Sequence, residues 1–191
     1  MIIKDLSSKR IDLIDLVEIG KDGLADMHEY SIKPEFYEFL TYDPFKTIED
    51  TSAYIDKLIK RSSLETGHYW FIRLNKSNKI IGTFGLMNID LSTGSTEIGY
   101  GLSPDYWGGG YFTETLTAVV KYLFLELNFH RIWAKTQSNN IASIKSLNKC
   151  GFQKEGVLRD FYFSSEGIRY DATILSILRD EFYNCVEDES L

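Results

Sequence analysis

The stretch from Glu97 to Glu114 constrains this chain most. It reads Glu-Ile-Gly-Tyr-Gly-Leu, then Ser-Pro-Asp-Tyr-Trp, then consecutive glycines at 108, 109 and 110, then Tyr-Phe-Thr-Glu. Pro104 stops a strand near Leu102, because the residue before a proline is pushed away from helical geometry. Beyond Thr113, apolar residues recur at Leu116, Val119, Val120, Leu123, Phe124 and Leu127, the spacing of one helix face. The stretch therefore predicts a strand, a glycine-rich turn and a long amphipathic helix. The first N–H groups of such a helix have no partner within it, and its dipole favours negative charge there, so a phosphate is the natural ligand. A flexible strand-to-helix connection is the alternative. A P-loop is disfavoured because no Lys-Ser or Lys-Thr follows the glycines, and the Gly-x-Gly-x-x-Gly order of dinucleotide-binding turns is missing.

Around this stretch the pattern changes character twice. Residues 10–17 read as an opening strand, and Gly20-Lys21-Asp22 offers a cap for a helix through Leu24, Met27, His28 and Tyr30. Pro34 suits the first turn of a short helix from Glu35 to Leu40. Thr47 to Asp50 resembles a capped start, with Ile48, Ile55, Leu58 and Ile59 on one face of the helix beyond it. Strands are then predicted at His68–Leu74, Lys79–Met87 and on to Leu102, as an antiparallel meander. Gly82 and Gly85 inside the middle strand suggest a bend or a close backbone approach. After the long helix, Asn128 is placed as its C-terminal cap and residues 131–137 form a strand. That strand–helix–strand unit makes the two strands parallel. Asn139 and Asn140 open a short helix ending at Gly151. Two strands follow, 152–158 and 161–164, and Ser165-Glu166-Gly167 turns the chain into a last apolar strand, 168–178. The expected fold class is α/β (α+β): one domain over residues 1–191, a mixed sheet and helices on both faces.

Composition limits the partners. In 191 residues, 43% hydrophobic and 14% aromatic, there is material for a real core rather than disorder. A net charge of −7 argues against nucleic acid and is compatible with a cationic or amine substrate. Cys150 and Cys185 have no metal-like spacing, and no metal is expected. With no membrane-length apolar run and no signal-peptide core, a reduced cytoplasmic setting is expected.

Glu97-Ile98-Gly99-Tyr100, then Tyr106-Trp107-Gly108-Gly109-Gly110-Tyr111-Phe112-Thr113-Glu114, then Asn140-Ile141-Ala142-Ser143 and Cys150-Gly151-Phe152, resemble the GNAT superfamily of acyltransferases. Within it the chain most resembles the ribosomal-protein N-terminal acetyltransferases of the RimJ/RimL type, as the run Glu155 to Asp160 also suggests. The resemblance implies a mostly antiparallel sheet splayed at a cofactor cleft, acetyl-CoA as cosubstrate, and an amine acceptor, either a small molecule or a protein N-terminus, attacking directly in a ternary complex. A homodimer is common among such relatives. A non-catalytic acyl-CoA-binding module is the rival reading.

The resemblance also names residues. The turn from Trp107 to Thr113, with Gly108, Gly109, Gly110, Tyr111 and Phe112, would hold the pyrophosphate. The strand edge at Tyr100 and Leu102 would take the pantetheine arm. Asn140 stands where a side-chain amide meets that arm, though a cap alone would also explain it. Trp107 and Phe112 replace the usual Arg or Gln and Gly or Ala; a bulky residue at 112 is harmless only if it faces inward. Lys145 and Lys149 share a helix face, open to the 3′-phosphate or simply to solvent. Glu97 stands where a carboxylate acts as base through water, or else anchors the sheet. The usual leaving-group tyrosine is replaced by Leu147, which leaves Ser143 as hydroxyl donor or as a capping serine. Aromatics between Tyr30 and Phe45 either pack short helices or line the acceptor side. His28, His68 and His130 are given no role.

Overall fold

The structure, a computed structural model, describes residues 3–64, 67–164 and 167–182. Its elements in chain order are β1 (Leu6–Ser7), β2 (Ile11–Asp15), α1 (Leu16–Ile19), α2 (Leu24–Ser31), α3 (Ile48–Ser63), β3 (Gly67–Leu74), β4 (Ile80–Asp90), β5 (Ser95–Leu102), α4 (Tyr111–Leu125), β6 (Arg131–Gln137), α5 (Ile141–Lys149), β7 (Gln153–Phe163) and β8 (Arg169–Leu178). Among the described residues the strands form one eight-stranded sheet in the order β1-β2-β3-β4-β5-β6-β8-β7. Every pairing is antiparallel except β5 with β6, whose connection runs through α4. No described helix is long and apolar enough to cross a membrane.

Strand alternation divides the apolar residues between the faces of the sheet. In β3, Trp70 and Ile72 join the cluster beneath α4 and α5, with Leu116, Val119, Leu123 and Leu147. Their neighbours Tyr69 and Phe71 join the cluster beneath α1, α2 and α3, with Leu16, Met27, Ile55 and Leu58. Helices therefore cover both faces.

Several expectations are met in detail. Thr47 and Asp50 form a reciprocal capping box at the start of α3. The meander β3-β4-β5 is antiparallel throughout. A side chain at Gly82 would overlap the Gly101 carbonyl oxygen, and one at Gly85 would meet the Tyr69 ring 2.5 Å away, so both are close-approach positions.

Others are corrected. The opening strand ends at Asp15, whose carboxylate accepts from the Val17 amide and starts α1. The glycine-rich segment 20–23 is a 3-10 turn that runs straight into α2, so no side chain caps that helix. The turn at Pro34 is a short 3-10 helix ending at Tyr37. Ile48 is exposed although Ile55 and Leu58 are buried. The cap of α4 falls at Glu126, while Asn128 lies beyond it with φ 60°. Residues 153–163 form one strand rather than two. Asp160, at φ 52°, absorbs a bulge without breaking the ladder to β8. Of the turn expected at Ser165-Glu166-Gly167, the first two residues lie outside the described residues; Gly167 donates to the Ser164 carbonyl.

Gly82 tests how tightly β4 holds β5. Replacing it with alanine forces the strands apart beside Gly101. Gly82→Ala should lower stability by about 1–3 kcal/mol in urea unfolding, the usual cost of overpacking. An unchanged midpoint would show slack in this ladder.

Candidate active site

Strands β5 and β6 share only three rungs, Ser95–Arg131, Thr96–Ile132 and Glu97–Trp133. Beyond Glu97 they separate, and among the described residues the β6-facing edge of β5 from Ile98 to Leu102 has no strand beside it. A cavity of about 300 Å³ opens in this gap. It is lined by Tyr100, Gly101 and Leu102 of β5, by the loop residues Trp107, Gly108 and Gly110, by Phe112 and Thr113 of α4, and by Asn140, Ser143 and Lys149 of α5 and its cap. Glu35, Phe36, Phe39 and Leu40 close the opposite wall.

The glycine loop is built to present donors. Gly108 and Gly110 adopt φ of 72° and 76°, where a side chain is strained, and Gly110 is the N-cap of α4. The first intrahelical bond is from the Glu114 amide to the Gly110 carbonyl, 3.0 Å. Among the described residues, the N–H groups of residues 108–113 have no acceptor within the protein. Trp107 fastens the loop to β5 by donating from Nε1 to the Leu102 carbonyl at 2.8 Å. Phe112 packs its ring 4.1 Å from that of Tyr100 and also borders the cavity.

On the α5 side, Asn140 caps the helix with its side-chain oxygen, which accepts from the Ser143 amide at 3.1 Å. Among the described residues its NH2 group has no acceptor, which leaves it for another partner. Ser143 is buried, and its hydroxyl lies 2.6 Å from the Tyr100 hydroxyl. Burial lifts the Tyr100 phenol above its ordinary value, against the opposing effect of the Ser143 hydrogen bond. The phenol therefore stays protonated. Leu147 is fully buried in the core.

Glu97 stands on the other face of β5, at the last rung before the strands part. It is 6% exposed and does not line the cavity. Asn88 donates to one carboxylate oxygen at 2.6 Å, and the Lys135 ammonium lies 3.4 Å from the other. That ammonium is itself seated over the rings of Trp133 and Phe161, 5.2 and 4.9 Å from their centroids. Burial and the Glu97 charge push the nearby Tyr162 phenol up to about 12.

Residues 14–153 match the acetyltransferase (GNAT) domain. The chain belongs to the GNAT acetyltransferases. It is 36% identical over 155 residues to the uncharacterized N-acetyltransferase p20 of Bacillus licheniformis, covering 81% of this chain and 86% of that protein. It is 20% identical to the spermidine N(1)-acetyltransferase of Vibrio cholerae, over 90% of this chain and 96% of the other. Among solved structures, the microcin C7 self-immunity acetyltransferase MccE, in complex with acetyl-CoA and AMP, superposes with a TM-score of 0.76 at 22% identity, covering 90% of this chain and 93% of that one. The ribosomal-protein-S5-alanine acetyltransferase of Vibrio fischeri gives 0.78 at 21% identity, covering 94% and 99%.

In this acetyltransferase the fold brings together Tyr100, Leu102, Trp107, Gly108, Gly110, Phe112, Thr113, Asn140, Ser143 and Lys149 around one cavity. Gly109 and Tyr111 lie in the same loop but do not line it, and Lys145 does not either. Glu97 approaches from the opposite side of the strand. Lys149, Gly110 and Thr113 also border a wider groove of about 880 Å³ along α4. No group of three or more His, Cys, Asp or Glu side chains among the described residues could hold a metal. His28 contacts Thr51 and His68 packs on Trp70, both away from the cavity. The sequence reading named Tyr100 for its strand edge but not for its hydroxyl, which strand alternation puts on the same face as Leu102. It missed Arg10, which reaches the glycine loop and carries no local pattern.

The Tyr100–Ser143 pair has a measurable weight. Tyr100→Phe leaves the ring packing intact and removes one buried hydrogen bond, which should cost about 0.5–1.5 kcal/mol in denaturant unfolding. A variant as stable as the wild type would mean that Ser143 finds an equal partner elsewhere.

Proposed function

We propose that this acetyltransferase carries the acetyl group of acetyl-CoA to a primary amine by direct attack in a ternary complex, as one domain of the RimJ/RimL type. One observation carries the reading: the acceptor-free N–H groups of residues 108–113 stand at the mouth of the gap where β5 and β6 part. These donors suit a pyrophosphate, and the unpaired edge of β5 suits an extended arm with two amides. Bound acetyl-CoA supplies an activated thioester. The loop from Trp107 to Thr113 holds its phosphates, Tyr100 and Leu102 border the arm, and Lys149 faces the phosphate end. Asn140 both caps α5 and offers its free amide to the arm, so the two roles do not compete.

Glu97 and Ser143 flank the gap from opposite faces of β5. Ser143 stabilises the departing sulfur by hydrogen bonding, with the Tyr100 phenol donating to it from behind. Glu97 accepts the amine proton through a water, since its carboxylate does not line the cavity. Asn88 and Lys135 hold the carboxylate in place. The spermidine and ribosomal-protein enzymes among the relatives make polyamines and an N-terminal alanine the acceptors to test first.

Turnover with spermidine and with an alanine-led peptide, in wild type and variants, tests this. Glu97→Gln should cut turnover roughly 10²–10⁴-fold at neutral pH, the scale of general-base loss, with affinity for acetyl-CoA nearly unchanged. Ser143→Ala should lower kcat less, roughly 10- to 100-fold, or about 1.4–2.7 kcal/mol. Normal turnover in Glu97→Gln would assign the carboxylate to the sheet alone. No transfer to any amine, with coenzyme A still bound, would favour a binding module.

A further inference from the structure

Arg10 lies immediately before β2, far from the glycine loop in sequence, yet it makes direct contact with that loop. Its Nη1 donates to the Gly109 carbonyl at 2.9 Å across 99 positions of chain. Its Nε donates to Glu114 at 2.6 Å, and its guanidinium carbon lies 4.2 Å from the Tyr111 ring centroid. The backbone at Arg10 is fixed as well: its amide donates to Glu114 at 2.7 Å, and its carbonyl accepts from the Asn75 amide at 3.0 Å. Ser8 donates to the same Glu114 oxygen at 2.7 Å. The planar fork of an arginine can serve Gly109 and Glu114 together, which a lysine cannot do.

A trans peptide unit is flat, with its carbonyl and N–H pointing in opposite directions. No described peptide bond is cis. When Arg10 holds the Gly109 carbonyl, the Gly110 N–H must therefore point away from Arg10. Arg10 itself does not line the cavity, whereas Gly110 does. Glycines at 108, 109 and 110 give this loop more freedom than any other residue type would, so its peptide planes need an external restraint to stay aligned.

We infer that Arg10 is a positioning residue for the pyrophosphate of acetyl-CoA, clamping the Gly109–Gly110 peptide so that its N–H faces the cleft. This role rests on the reading of the cleft proposed above. It separates Arg10 from a residue that merely ties β2 to α4, because the clamp acts only on ligands that carry a pyrophosphate.

Binding of coenzyme A by calorimetry, and of pantetheine by NMR titration, tests it in wild type, Arg10→Met and Arg10→Lys. The wild type should bind coenzyme A more tightly than pantetheine. Arg10→Met should weaken coenzyme A binding about tenfold, the scale of one charge-assisted hydrogen bond at a half-exposed site, and leave pantetheine unchanged. Arg10→Lys should lose about threefold, since it keeps the charge without the fork. Equal weakening of both ligands would assign Arg10 to the fold alone and overturn the inference, as would no weakening of either. If Arg10→Met does not fold, the same comparison in Arg10→Lys decides. A wild type with no preference for coenzyme A would overturn the cleft reading itself, a result visible before any variant is made.

Discussion

Past Glu97 and Trp133, β5 and β6 stop exchanging hydrogen bonds while each remains paired on its other side. A β-strand edge left open inside a protein has to find other partners, since buried backbone groups are costly when unmet. Everything around the site follows from that gap. β4 holds β5 from one side and β8 holds β6 from the other, so the opening cannot close by sliding. The parallel pairing also requires a crossover, and α4 is that crossover. Its N-terminus, with a row of unmet N–H groups, is thereby delivered to the end of the same gap.

The two faces of β5 then carry different groups. Ile98, Tyr100 and Leu102 look toward α4 and α5, where apolar packing and the Ser143 hydroxyl await. Glu97 looks the other way, toward Asn88 and Lys135. One strand with a period of two thus places a hydroxyl pair on the cavity face and a carboxylate on the opposite face. The cost of burying Glu97 is met by a charge-assisted hydrogen bond and an ammonium that rests on aromatic rings.

Much of this could be read in advance, for physical reasons. The helix in 111–125 and the strands around it carry strong periodicity, and the glycines at 108–110 next to Pro104 admit few backbone solutions. Asn140 before an apolar run is a cap by residue type. What failed was non-local. The break between two strands expected around Arg159 and Asp160 does not occur, because the ladder to β8 resumes beyond them and keeps β7 continuous. The spacing of Ile48 fixed its direction without saying whether anything lies opposite. Arg10 has no local pattern at all: its meaning comes from Gly109 and Glu114, which only the folded sheet brings near. The aromatics Phe36, Tyr37, Tyr42 and Phe45 illustrate a middle case. They pack on one another and on Tyr30 and Tyr54, while Phe36 alone of the four also borders the cavity.

The central claim is that the backbone of the glycine loop, rather than a cationic side chain, receives the phosphates. Amide ¹H–¹⁵N spectra during titration with coenzyme A test it most directly. Glycine resonances are readily distinguished, and a new hydrogen bond to a phosphate oxygen moves an amide proton downfield. The account predicts large downfield shifts within residues 108–113, Gly110 among them, saturating together with binding. Saturable binding that shifts other amides and leaves those of the loop in place would contradict it.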